Sequence, residues 1–251
     1  MSSQRGPSIP IVRRHFEFKE TAVTILAEER FIPLAERTIL LAREGIERFI
    51  IFDPMFKDTL EPYSEPADAP AIIKRMCEAG RAASVGPMAA VAGAISETAV
   101  QAMVEEGARH AVVDNGGDIA LFLSEPIDVG IYTLNPRFAG LGFRVDRLNE
   151  LFGICTSSGV IGPSISFGKA EAAVVIAKNV ALADACATLL GNMTTSDDDR
   201  VLQMGLDAVV SVEGVEGAMV IIGEKLAIKG AVPRLVKVNV PWRSISKREY
   251  G

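Results

Sequence analysis

The sequence predicts an α+β protein with an antiparallel sheet and helices packed on one face. Two observations carry this. Helical patterns come first, then a run of short strands joined by turns. Between Ala111 and Thr156 there is no room for a helix between successive strands, as a parallel βαβ series would need.

The elements follow in order. Met1 to Pro10 is rich in Ser, Pro and Gly, and 1–13 is expected to be a loose tail before one domain, 14–251. Arg14 to Ala27 reads as a hairpin, with Phe16 and Phe18 alternating with charges and Lys19-Glu20 at the turn. Leu34, Ile39, Leu40, Leu41, Ile46 and Phe49 fall at helical spacing. Pro54, Pro62, Pro66 and Pro70 make Asp53 to Pro70 a loop. Ala71 to Ala83 is helical. After Gly86-Pro87, an alanine-rich helix is expected over Met88 to Glu106. The period then shortens. Strands are expected at His110–Val113, Ile119–Leu123, Ile127–Tyr132, Arg144–Asn149, Ile154–Thr156 and Ala172–Ala177. Helices are expected at Leu182–Leu190 and Asp197–Met204. Strands follow at Val209–Val212, Ala218–Ile222 and Leu226–Ile228, with Leu235–Val240 closing the sheet.

The chain has 251 residues, 49% of them hydrophobic, enough for a sizeable core without disulfide staples. A net charge of -6 argues against a nucleic-acid partner. Three cysteines without C-x-x-C spacing argue against a disulfide framework or a structural zinc site. No stretch approaches the ~20 apolar residues of a membrane span. These features predict a cytoplasmic protein without a membrane partner. Short edge strands invite pairing, so a homodimer is compatible with the sequence.

Three segments are able to carry chemistry. In Asp114-Asn115-Gly116-Gly117-Asp118, two glycines after an apolar strand allow positive φ and leave the main chain open to a ligand, although Asn-Gly is also a plain hairpin signal. In Cys155-Thr156-Ser157-Ser158-Gly159, followed by Ser164-Ile165-Ser166-Phe167-Gly168-Lys169, hydroxyls, N–H groups and one lysine suit a phosphate; a polar surface loop has the same composition. In Ala183-Asp184-Ala185-Cys186-Ala187-Thr188, a carboxylate and a hydroxyl one turn apart suit Mg²⁺. Asp184 also suits the first turn of its own helix. Cys186 points to the core, and His15 and His110 read as structural. Asp197-Asp198-Asp199 reads as a helix start.

In this order, the three segments resemble the ApbE family of flavin transferases. With Gly86-Pro87-Met88-Ala89-Ala90-Val91-Ala92-Gly93 and Ser164 to Lys169, the likeness is to an ApbE-related family of archaeal and bacterial proteins. It spans most of Phe16 to Val238. The resemblance implies a T-fold-like domain of two intertwined β-β-α-α-β-β units. It also implies a site for a phosphate-bearing ligand, FAD or FMN, with Mg²⁺. Asp184 and Thr188 match the metal ligands. Asn115, Gly116, Gly117, Asp118, Thr156, Ser157, Ser158, Gly159 and Ser164 match the cofactor-binding segments. ApbE enzymes carry a Lys-Gly-x-x-x-Asp stretch where this chain has Gly86 to Ala92, and a histidine where it has Ser164 to Lys169. Ser166 and Lys169 are therefore the candidate catalytic groups of any Mg²⁺-dependent transferase or hydrolase. The resemblance also suggests two alternatives. One is a factor assimilating sulfide into homocysteine, for which Cys155 is the thiol placed to carry a persulfide, although a buried strand cysteine is the simpler reading of that residue. The other is a flavin- or nucleotide-binding module without catalysis.

Overall fold

The computed structural model describes residues 10–19, 21–159 and 168–238. The first hairpin is β1 (Ile11–Phe18) and β2 (Thr21–Glu28). Its first strand begins at Ile11, paired with Glu28, so it reaches three residues into the stretch expected as tail. Three longer helices and one short one follow: α1 (Ile32–Phe52), α2 (Met55–Asp58), α3 (Ala71–Ala83) and α4 (Val91–Glu105). The strands β3 (Ala111–Asn115), β4 (Asp118–Phe122), β5 (Ile127–Gly130), β6 (Leu141–Val145), β7 (Phe152–Ser157) and β8 (Ala172–Ala177) come next. The chain continues through α5 (Val180–Met193) and α6 (Asp199–Val210) to β9 (Val215–Ile222), β10 (Lys225–Gly230) and β11 (Arg234–Lys237).

Eight strands form one antiparallel sheet, in the order β1-β2-β3-β4-β7-β8-β9-β10. This is the α+β architecture expected. Each half of the sheet is a ββ–helices–ββ unit, and β4 and β7 join the halves at the centre. Helices cover one face, where Ile25, Val113, Ala120, Val175 and Val220 meet their apolar sides. The opposite face is also covered. A second sheet, β11-β6-β5, packs Val129, Phe143 and Val145 against Val112, Leu121, Ile154, Val174 and Met219. This third layer explains β8: all six residues of Ala172–Ala177 are buried, because both faces of that strand are covered.

Four expectations need correction. Val209–Val212 is not a strand. Leu202, Leu206 and Val209 are buried at i, i+4 and i+7, a helical period that carries α6 to Val210. The segment at Leu235 does not close the main sheet; β11 pairs with β6 in the smaller one. Asp53 to Pro70 contains the short helix α2, whose Phe56 is buried against Phe49 and Tyr63. The strand expected at Arg144–Asn149 starts earlier, at Leu141, where Gly142 lets β11 approach: a Cβ there would lie 2.9 Å from a Val238 methyl. Among the described residues, no single helix is long and apolar enough to cross a membrane.

Candidate functional site

The site lies where β4 and β7 meet beneath the crossing of α4 and α5. The turn between β3 and β4 is held by its own first residue: the Gly117 N–H donates to Asp114 Oδ1 at 2.9 Å. Gly116 and Gly117 have φ of +69° and +105°, a region that favours glycine. Nothing lies within 4 Å of where a Cβ of Gly116 would be, so the main chain is open on that side. Across the sheet, Thr156 N–H donates to Gly117 O at 3.1 Å, and Asp118 stands in register with Cys155. The first two candidate segments are thus neighbours because β4 pairs with β7.

The third segment arrives through α5. The Gly93 N–H, in the first turn of α4, donates to Asp184 Oδ2 at 2.8 Å. Asp184 is buried, with the carboxyl of Asp118 close enough to act on it electrostatically. It does not serve its own helix start. Asn179 caps α5, accepting from Leu182 N–H at 2.8 Å, so the helix begins earlier than its apolar pattern suggests and Asp184 lies beyond the first turn. Asp184 instead complements the positive end of α4. The exchange is reciprocal. Glu97 of α4 accepts from the N–H groups of Val180 and Ala181 at 2.8 and 3.0 Å, and so caps α5. Arg75 of α3 reaches the other Glu97 oxygen at 3.2 Å. The two helices run antiparallel, each closing the other's N-terminus with a carboxylate.

Asn115 ties the turn to the same helix end, donating from Nδ2 to Ala92 O at 3.3 Å. Ser96 Oγ lies 3.0 Å from Ala92 O and 2.9 Å from Asp118 O. Neither Ser96 nor Glu97 stood out in the sequence. The only signal was a serine and a carboxylate inside an otherwise alanine-rich helix.

The other candidates sit further along α5. Thr188 is half-buried, one turn beyond Asp184. Ser157 ends β7, Ser158 is buried, and Gly159 crosses Gly168 so closely that a Cβ would come 2.2 Å from Gly168 O. Lys169 is exposed, and its N–H donates to Thr194 O at the end of α5. Ten residues of helix separate Thr194 from Asp184, about 15 Å along the axis. The fold thus places the Lys169 main chain at the opposite end of α5 from the carboxylate pair. Ser164 and Ser166 lie outside the described residues.

The electrostatics follow from burial. Burial, and then the Asp118 carboxylate beside it, push the Asp184 carboxyl well above the usual range, while the N–H groups of Gly93 and Ala92 pull it down. A buried carboxyl beside a partly buried one is stable when a proton or a cation lies between them. Burial, reinforced by Asp118 and Asp184, also pushes the Cys155 thiol well up. That thiol donates to Val180 O at 3.5 Å and is fully enclosed, the opposite of a reactive carrier cysteine.

A pH prediction follows. Above the ordinary Asp value of 3.8, the folded chain holds the Asp184 proton that the unfolded chain releases. Stability must therefore fall as pH rises through that window, by up to about 1.4 kcal/mol per pH unit. In metal-free buffer, Asp184→Asn should flatten the fall that begins above about pH 4. Urea denaturation at several pH values checks this; parallel profiles for the two proteins would refute it.

A family model described as "AbpE bacteria" matches residues 4–222. The chain belongs to that ApbE-related family. Among its relatives is the UPF0280 protein of Methanocella arvoryzae, 47% identical over 92% of this chain and 94% of the relative. The UPF0280 protein of Methanothrix thermoacetophila is 46% identical over 94% of this chain and 100% of the relative. Solved structures share the ApbE fold. Flavin transferase ApbE from Vibrio cholerae matches with a TM-score of 0.55 at 12% identity, over 88% of this chain and 98% of that one. The apo flavinyl transferase ApbE of Pseudomonas stutzeri matches at 0.56 with 14% identity, over 88% and 94%. The ApbE-like fold agrees with the resemblance drawn from the motifs.

Proposed function

We propose that this chain binds a phosphate-bearing flavin nucleotide, FAD or FMN, together with Mg²⁺, at the junction of the Asn115–Asp118 turn and the Asp184–Thr188 face of α5. The observation that carries the reading is the meeting of Asp118 and Asp184 beside an open glycine turn. Their donor set fits the metal. Mg²⁺ commonly takes one or two carboxylates and completes its shell with water and phosphate oxygens. Asp184, Asp118 and the Thr188 hydroxyl are such hard donors. When bound, the ion would neutralise charge on the phosphate oxygens.

The chain's own groups have separate tasks in this reading. The Gly116 main chain lets a phosphate come close, and Asn115 fixes the turn against α4. Asp184 gives up its proton when the ion enters, so affinity for Mg²⁺ should rise with pH. Ser157 and Gly159 continue the polar surface toward Lys169, with Ser158 buried beneath it. Lys169 and Ser166 are the groups proposed to assist any transfer or hydrolysis. The cytoplasmic setting belongs to the same proposal and is supported by three free, buried cysteines.

Titration with FAD and FMN, with and without Mg²⁺, tests the reading by flavin fluorescence and calorimetry. Mg²⁺-dependent binding, lost in Asp184→Ala, is expected. No binding of either flavin under any condition sinks the proposal. Chromatography of the same mixtures distinguishes the outcomes that remain. Release of AMP and FMN from FAD marks a transferase or hydrolase, and intact FAD marks a binding module.

A further inference from the structure

Helix α1 is buried along one side through Ile32, Ala35, Ile39, Ala42, Ile46 and Phe49. Its other side carries large apolar side chains that the other described residues leave exposed. Leu41 is 55% exposed, Ile51 81% and Phe52 77%; Met55, just beyond the helix, is 63% exposed. Gly45 lies among them. A glycine inside a helix costs about 1 kcal/mol relative to alanine. Packing within the chain does not require it, since a Cβ there would meet nothing within 4 Å.

Leu41, Gly45, Arg48 and Phe52 are spaced 4, 3 and 4 apart, the seam of a two-helix contact. The seam is self-complementary. With α1 laid antiparallel on a second α1 about a two-fold axis between residues 46 and 47, Leu41 faces Phe52 of the partner subunit. Gly45 faces Arg48 of the partner subunit and gives that side chain room. Glu44 stands one residue away. The ion pair Glu44–Arg48, exposed within one chain, then becomes a ring of alternating charges across the axis.

We propose that α1 joins two copies of this chain into an antiparallel two-fold dimer through Leu41, Gly45, Arg48 and Phe52. Helix α1 is about 30 Å long. With Met55 at its rim, a single helix pair of this length falls at the small end of interfaces, so a reversible dimer is expected.

Sedimentation equilibrium of the full chain, from about 1 to about 200 µM, reads the mass across that range. A monomer–dimer equilibrium is expected. Glu44→Arg and Arg48→Glu each place like charges across the axis and should weaken the dimer about tenfold or more. Both positions face solvent, so circular dichroism should match the parent. Mixing the two variants in equal amounts restores opposite charges and should recover the dimer mass. A parent that stays monomeric throughout overturns the proposal. So do single variants that dimerise like the parent, or a mixture no heavier than its parts.

Discussion

Glu97→Ala should lower the stability of this protein by about 3–5 kcal/mol, the usual cost of removing one partner from a buried charge pair. The Glu97 carboxylate closes the N-terminus of α5 through two N–H groups and meets Arg75 of α3. Without it, Arg75 keeps Thr98 and Gln101 as neutral partners but loses its counter-charge. The two α5 N–H groups lose their acceptor in a place that water does not readily reach. Glu97→Gln keeps the shape and one acceptor oxygen, so it should cost less. Chemical denaturation of the three proteins checks the order. A loss below about 1 kcal/mol for Glu97→Ala would show that the carboxylate does not hold α5 in place.

Gly93→Ala should be destabilising, against helix propensity. In an exposed helix the change would gain about 1 kcal/mol. Here a Cβ would lie 2.6 Å from Val180 O and 2.7 Å from Asp184 Cβ, closer than atoms can rest. The two helices must part, and overpacking of this kind costs about 1–3 kcal/mol. A net loss of about 2 kcal/mol is expected, and the melting temperature gives its sign. The same separation should draw Asp184 away from Gly93 N–H and Asp118, so any Mg²⁺ affinity should fall with stability. A neutral or stabilised Gly93→Ala protein would mean that α4 and α5 have room to spare.

The fold was largely legible from local pattern. Helical spacing defined α1, and the bounds of α3 agree with its pattern to the residue, because apolar residues recur at helical spacing along one face of each. The Asp198 cap also read as a helix start. At the end of α6 the local pattern misleads. The run Val209–Val212 looked like a strand because three of its four residues are β-branched valines, and the buried period of Leu202, Leu206 and Val209 decided for helix.

The sequence by itself determined most of the helices and strands and the three segments that carry polar groups. The order of those segments also revealed the ApbE likeness. Only the tertiary structure decided what they do to one another. Asp184 looked like a residue of its own helix start; the approach of α4 at Gly93 made it the cap of a different helix and the neighbour of Asp118. Lys169 lies beside Gly159, and its N–H is tied to Thr194 O at the far end of α5. The reason is physical. Helix and strand periods are written in residues a few positions apart, whereas Gly93 and Asp184 meet across 91 residues through packing that no local spacing records.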